Sequence, residues 1–267
     1  MYAFDYYRPK TLKEAAALLR RHKEARLLAG GQSLIPVLKL RLARPPALVD
    51  LGAIEALRGI RLEGAWLTLG AMTRHAEVAA SKEVALAIPA LARLAQGIGD
   101  LQVRNLGTLG GSLAHNDPAA DYPAAALGLG ATIHTNRRAI AADNFFTGLY
   151  ETALKPGEIV TAVTFPLAKR AAYVKFRQPA SRFALAGVFV SEAAGEVRVA
   201  VTGAASCVFR VKEMEQRLAQ KFAPESVAGV KVPAERLSSD LHASAEYRSH
   251  LVTLLAQRAV EAALAGK

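Results

Sequence analysis

Apolar positions in this chain switch repeatedly between helical and strand spacing, with Gly, Pro, Asn and Asp marking each change. After Pro9, the pattern Thr11-Leu12-Lys13-Glu14 predicts a capping box, and the stripe Leu12, Ala15, Ala16 and Leu19 carries a helix to Arg21. Ala25-Arg26-Leu27-Leu28-Ala29 reads as a buried strand that stops at Gly30-Gly31. Ser33 is then placed to cap a short helix bearing Leu34, Ile35, Val37, Leu38 and Leu40, with Pro36 tolerated in its first turn. Arg44-Pro45-Pro46 ends that helix before a second strand, Ala47 to Leu51, so the stretch is a small βαβ unit.

Further on, Trp66 to Leu69 is a predicted strand, Thr73 a predicted cap for a helix through Val78, and Ile88 to Ala95 the start of a helix with proline near its beginning. From Gly97 to Pro123, turn residues interleave with Leu101, Val103, Leu106, Leu109 and Leu113, which predicts a folded loop held against something rather than a linker. Strands follow at Ala131 to Thr135 and Ile159 to Phe165, the latter closed by Pro166. The tail changes character, with strands at Tyr173 to Phe176, Phe183 to Ser191 and Val197 to Gly203, then helices over Val211 to Phe222 and Ala245 to Leu264. This pattern predicts an α+β protein with a boundary near Pro166 to Ala171, between a first domain over 1–168 and a small α+β domain over 169–267.

Two glycine loops far apart in the chain carry the candidate chemistry: Ala29-Gly30-Gly31-Gln32-Ser33-Leu34 and Thr108-Leu109-Gly110-Gly111-Ser112-Leu113. Paired glycines let main-chain N–H groups approach a phosphate, and Ser33, Thr108 and Ser112 add hydroxyls. A hydrogen bond to a charged oxygen contributes roughly 1.5–3 kcal/mol, whereas fixing a ligand costs roughly 4–15 kcal/mol. One loop barely suffices, but two closing on one pyrophosphate do, which points to a dinucleotide. No G-x-G-x-x-G is present, so a Rossmann fold is disfavoured.

Composition narrows the remaining classes. The chain has 267 residues, 52% of them hydrophobic and 21% charged, which is ordinary for a globular protein. Its apolar runs are far shorter than the roughly 20 residues of a membrane span, and Met1-Tyr2-Ala3-Phe4-Asp5 lacks the start of a secretory signal, so a cytoplasmic location is expected. The net charge of +11 raises a nucleic-acid reading, but the basic residues are dispersed and accompany no recognised nucleic-acid motif. The single Cys207 supplies neither a disulfide nor the thiolates of an iron–sulfur cluster, so any such cluster belongs to a partner.

His115, Asp117 and Asp121 lie close enough in sequence to raise a metal site, yet His22, His75 and His250 fall in segments that read as solvated helices and offer no further ligands, so no metal site is expected. Asp121 is better suited to accept hydrogen bonds from a ribose hydroxyl or loop amides, and Asp117 to form an Asx turn. Lys175, Arg177 and Arg182 are candidate cations for a phosphate or a reduced flavin. No nucleophile elbow, zinc-binding helix or Walker loop occurs, and no catalytic residue is assigned.

The first loop, together with the long run from Arg104 through Thr108-Leu109-Gly110-Gly111-Ser112 and His115-Asn116-Asp117-Pro118 to Asp121, resembles the FAD-binding medium subunit of molybdenum hydroxylases, carbon monoxide dehydrogenase type. Shorter pieces agree: Gly70 to His75, Phe145 to Gly148, and Ala245 to Arg248. The resemblance implies a two-part FAD domain of the vanillyl-alcohol-oxidase type followed by a small C-terminal domain. It implies FAD contacts at Leu27, Leu28, Ala29, Gly30, Gly31, Gln32, Ser33, Leu34, Thr108, Leu109, Gly110, Gly111, Ser112, Asp121, Val160 and Lys175. It also implies a small subunit with two [2Fe–2S] clusters and a large molybdenum-cofactor subunit as partners, in a dimer of heterotrimers, with this chain passing electrons to an external acceptor. The alternative is a self-contained FAD-dependent oxidase of the same fold, which calls for a large substrate domain and an acid–base group over the flavin.

Overall fold

The computed structural model describes residues 1–266. Its first layer contains β1 (Asp5–Tyr7), α1 (Leu12–Arg21), β2 (Arg26–Leu28), α2 (Leu34–Lys39) and β3 (Ala47–Asp50). β3 is the central strand, parallel to both neighbours, with Leu48 opposite Tyr6 and Val49 opposite Leu27. Being covered on both sides, it reads as a continuous apolar run, and Ala47, Leu48 and Val49 are all buried. Thr11 caps α1 as expected, accepting the Glu14 N–H at 3.2 Å, while the Glu14 carboxylate reaches back to the Lys10 N–H at 2.9 Å. Ser33 precedes α2, but its hydroxyl makes no capping hydrogen bond.

The second part runs through β4 (Ile60–Glu63), β5 (Trp66–Gly70) and six helices: α3 (His75–Ala80), α4 (Lys82–Ala87), α5 (Pro89–Gln96), α6 (Leu101–Leu106), α7 (Leu109–His115) and α8 (Tyr122–Leu129). It continues with β6 (Thr132–Thr135), β7 (Ala139–Ala141), the small hairpin β8 (Phe146–Gly148) and β9 (Glu151–Thr152), and β10 (Val160–Pro166). β4, β5, β10, β6 and β7 form an antiparallel sheet in that order, with Val163 of β10 opposite both Leu69 and Ile133.

Two expectations change here. Thr73 does not cap a helix; its hydroxyl donates to the Gly59 carbonyl at 3.2 Å, and α3 starts at His75 with the Glu77 carboxylate on the Arg74 N–H. The segment after Gly97 is largely helical, because its polar breakers act as helix caps rather than as loop residues. Asp100 and Thr108 accept the N–H groups of Val103 and Gly111, and Asn116 ends α7 with φ +47°.

The third part comprises β11 (Ala168–Arg177), β12 (Ala184–Ala193), β13 (Glu196–Thr202), β14 (Phe209–Arg210), α9 (Lys212–Gln220) and α10 (Ala245–Leu264). The four strands are antiparallel in sequence order, and Ala194 and Gly195, both at positive φ, make the tight turn between β12 and β13. α8 links this sheet to the preceding part. All eight of its residues are buried, and it shares a core with Leu69 and Val163 of one sheet and Phe189 of the other. Gly128 permits that packing, since a Cβ there would stand 2.7 Å from the Phe189 ring. No helix among the described residues is long and apolar enough to cross a membrane.

Candidate functional site

The two glycine loops meet. A Cβ on Gly30 would stand 2.6 Å from the Gly107 Cα and press on the Leu106 carbonyl, so the first loop lies against the main chain that leads into the second. A Cβ on Gly111 would sit 3.5 Å from the Ala29 Cβ and 2.8 Å from the Thr108 hydroxyl. Close backbone approach is therefore the reason for glycine at Gly30, the Thr108 and Ala29 side chains crowd Gly111, and Gly31 has a left-handed φ of +71°.

The loops contribute unequally to a donor set. In the second, the N–H of Leu109 goes to the Thr73 carbonyl at 3.0 Å, that of Gly110 to Ala71 at 2.8 Å, and that of Ser112 to Thr108 at 3.0 Å. The Gly111 N–H is held by the Thr108 hydroxyl at 3.2 Å, so that hydroxyl is a cap and not a spare donor. These amides were expected to face a phosphate; the helix α7 and its anchoring to Ala71 and Thr73 absorb them instead. In the first loop, the N–H groups of Gly30, Gly31, Gln32, Ser33 and Leu34 have no partner among the described residues, and the Thr108 N–H shares that state. The Ser33 hydroxyl makes no capping hydrogen bond either. Leu27 and Ala29 pack on the small core beside Val49 and Ile159, which anchors the first loop from below.

Asp121, Tyr173 and Lys175 form a second cluster. Asp121 precedes α8 and is buried; the Tyr173 hydroxyl donates to its Oδ1 at 2.5 Å, and Lys175 Nζ stands 2.8 Å from Oδ1 and 2.9 Å from Oδ2. Burial pushes the Asp121 carboxyl up, while the Lys175 charge, the two hydrogen bonds and the Arg177 charge pull it back. Lys175 thus has its charge neutralised by Asp121, and Asp121 accepts from two side chains rather than from loop amides. Val160, at the start of β10, buries its side chain in the large core.

A packed path joins the loops to this cluster. The main-chain N–H of His75 bonds the Gly107 carbonyl at 3.0 Å, and a Cβ on Gly107 would meet the His75 Nε2 at 2.5 Å. The His75 ring lies 5.2 Å from the Tyr122 ring, next in sequence to Asp121. His75 was expected on a solvated helix; it is instead buried, its pKa lowered to about 4 by burial and by the Arg104 charge, because α3 packs on α5 and α6 and its first residue lies against Gly107 and the Tyr122 ring. None of Gly107, His75 and Tyr173 is assigned to the site from the sequence, although Tyr173 stands two residues from Lys175 on one face of a strand.

His115, Asp117 and Asp121 diverge. His115 is exposed beside Tyr150, an Asp117 oxygen accepts the Ala119 N–H at 2.8 Å as an Asx turn, and Asp121 faces Lys175. No group of three or more potential metal ligands occurs among the described residues.

Residues 2–168 match the family model described as "FAD binding domain in molybdopterin dehydrogenase". The chain is 36% identical over 279 aligned positions to the carbon monoxide dehydrogenase medium chain of Hydrogenophaga pseudoflava, covering 98% of this chain and 97% of that one. It is also 36% identical to the nicotine 6-hydroxylase medium subunit of Paenarthrobacter nicotinovorans, with 97% and 96% covered. In structure it superposes on quinoline 2-oxidoreductase of Pseudomonas putida 86 with a TM-score of 0.90 at 30% identity, covering 99% of this chain and 98% of the other. With two glycine loops in contact, and with likeness extending from end to end, this chain belongs to the FAD-binding subunits of the molybdenum hydroxylase-type dehydrogenases and binds FAD.

Proposed function

We propose that this protein is the FAD-carrying electron-transfer subunit of a molybdenum hydroxylase complex. It takes electrons from the [2Fe–2S] clusters of a small partner subunit, while a large molybdenum-cofactor subunit hydroxylates the substrate, and it passes them to an external acceptor from the cytoplasm. The assembly is a dimer of these heterotrimers. The FAD unit spans 1–168, in parts of about 1–55 and 56–168, and 169–267 is the small C-terminal domain.

One observation carries the cofactor placement: two loops from the two parts of the FAD unit touch, and five consecutive first-loop amides have no protein partner among the described residues. Gly30 to Leu34 supply main-chain donors to the pyrophosphate, Thr108 adds one N–H, and Ser33 and Ser112 add hydroxyls. Leu27, Leu28 and Ala29 fix the approach of the first loop, and Leu109, Gly110 and Gly111 fix the second. Asp121 and Lys175 would contact the remainder of the cofactor, and Val160 would lie along it. Bound FAD supplies an electron carrier that works in steps of one or two electrons. The protein's own part is to orient it; no acid–base pair is required of a chain that hands electrons from one carrier to another.

Purification of the chain alone and of its native complex, each with an absorption spectrum and assays for iron and molybdenum, tests the reading. The expected result is a yellow isolated chain without stoichiometric iron and a complex containing both metals. Iron held by this polypeptide alone, or rapid flavin reduction by a small organic donor without partners, overturns it in favour of a self-contained oxidase.

A further inference from the structure

We infer that Tyr173 is a positioning residue for the cofactor: it keeps the buried Asp121 carboxylate ionised and aimed, and the chain reserves Gly187 to let it do so. The inference rests on Asp121 being a cofactor contact. Asp121 and Lys175 have side chains only 3% and 4% exposed, so both charges are removed from water. A buried pair of this kind is favourable only when its remaining lone pairs are satisfied. The Tyr173 hydroxyl supplies that bond to Oδ1 at 2.5 Å, on the same oxygen that Lys175 approaches at 2.8 Å.

The support for Tyr173 is built into two strands. Tyr173 and Lys175 lie two apart on β11 and so share a face, which brings both donors to one carboxylate. The opposing strand β12 places Gly187 across from Lys175 and Phe189 across from Tyr173. Any Cβ at Gly187 would run into the Tyr173 hydroxyl and stand 3.0 Å from its ring, although nothing in the φ of this residue requires glycine. Phe189 then stacks on the Tyr173 ring with centroids 6.3 Å apart, fixing its tilt. The hydroxyl is thereby directed at Asp121 by packing on both sides.

The charged and titratable groups around Asp121 are few. Tyr173, Lys175 and Arg177 act from β11, and Tyr122 from α8. Tyr173 and Tyr122 hold their phenols well above the usual range, so each remains neutral. Burial leaves the Asp121 carboxyl above its ordinary range, and Lys175 and Tyr173 oppose that rise; loss of one hydrogen bond to a charged group weakens the ionised form by about tenfold or more. An ionised Asp121 accepts hydrogen bonds from cofactor hydroxyls; a protonated one has lost half of that capacity.

FAD affinity of the full-length chain, measured by quenching of flavin fluorescence between pH 5 and 8, tests the inference with Tyr173→Phe, which keeps the ring on Phe189, and Asp121→Asn. Both variants are expected to bind FAD about tenfold or more weakly at neutral pH, and in Tyr173→Phe the acid loss of affinity moves to higher pH than in the wild type. His75 titrates identically in both proteins and does not produce that difference. Weak binding by Asp121→Asn with wild-type affinity and pH profile in Tyr173→Phe overturns the role of Tyr173 and leaves Asp121 as a contact. Wild-type binding by both variants overturns Asp121 as a contact and the inference with it. If Asp121→Asn does not fold, the pH profiles of wild type and Tyr173→Phe decide alone: coincident curves refute the inference.

Discussion

Replacing Gly30 by alanine places one methyl group between the two glycine loops. Its Cβ would lie 2.6 Å from the Gly107 Cα and against the Leu106 carbonyl, and both obstacles are main chain, which cannot rotate away as a side chain does. Relief requires the first loop to move outward by about an ångström, and overpacking of this kind costs roughly 1–3 kcal/mol. The larger effect is on the ligand. Displacing the loop misaligns at least two of the free N–H groups between Gly30 and Leu34, each worth roughly 1.5–3 kcal/mol toward a charged oxygen. FAD affinity is expected to fall by about two orders of magnitude or more. Titration of apoprotein with FAD, followed by flavin fluorescence, measures this, with circular dichroism and urea unfolding to confirm the fold. Gly195→Ala is the control: it strains a positive φ at a turn where an added Cβ meets nothing within 4 Å, so it lowers stability without changing FAD binding. Unaltered FAD affinity in a folded Gly30→Ala protein would refute contact between the loops as the basis of the cradle.

Three further outcomes follow from the same geometry. Gly111→Val sets a branched side chain against the Thr108 hydroxyl and Ala29 and should yield a folded but colourless protein; full flavin content in the purified variant would contradict the placement. Asn116→Ala removes donors to the carbonyls of Gly148 at 2.9 Å and Glu151 at 2.7 Å at a residue with φ +47°, and urea unfolding should show a loss of roughly 2–4 kcal/mol. His75 binds its proton less readily folded, with a pKa of about 4, than unfolded near 6.5, so the unfolded state gains protons first and stability falls as pH drops from 6.5 toward 4. That component is of the order of 3 kcal/mol, and urea midpoints across this window should be flatter for a folded His75→Phe variant.

Some of this protein was legible in its one-dimensional pattern because the controlling interactions are local. The capping box at Thr11, the strand-loop-helix-strand order from Arg26 to Asp50 and the turn at Gly195 all depend on residues within a few positions of one another. The glycine motifs were equally visible, since close approach of neighbouring atoms or a left-handed φ explains their composition. Tertiary structure decided which amides remained for a ligand. In the second loop the N–H groups of Leu109 and Gly110 are consumed by the carbonyls of Thr73 and Ala71, partners delivered just after β5, and no spacing rule announces that. It also decided that His75 is buried and that Lys175 meets Asp121, because both depend on how α8 packs between two sheets remote in sequence. Hydrogen bonds and apolar periodicity along the chain set the elements; the competition of distant carbonyls, carboxylates and cations for the same donors set the site.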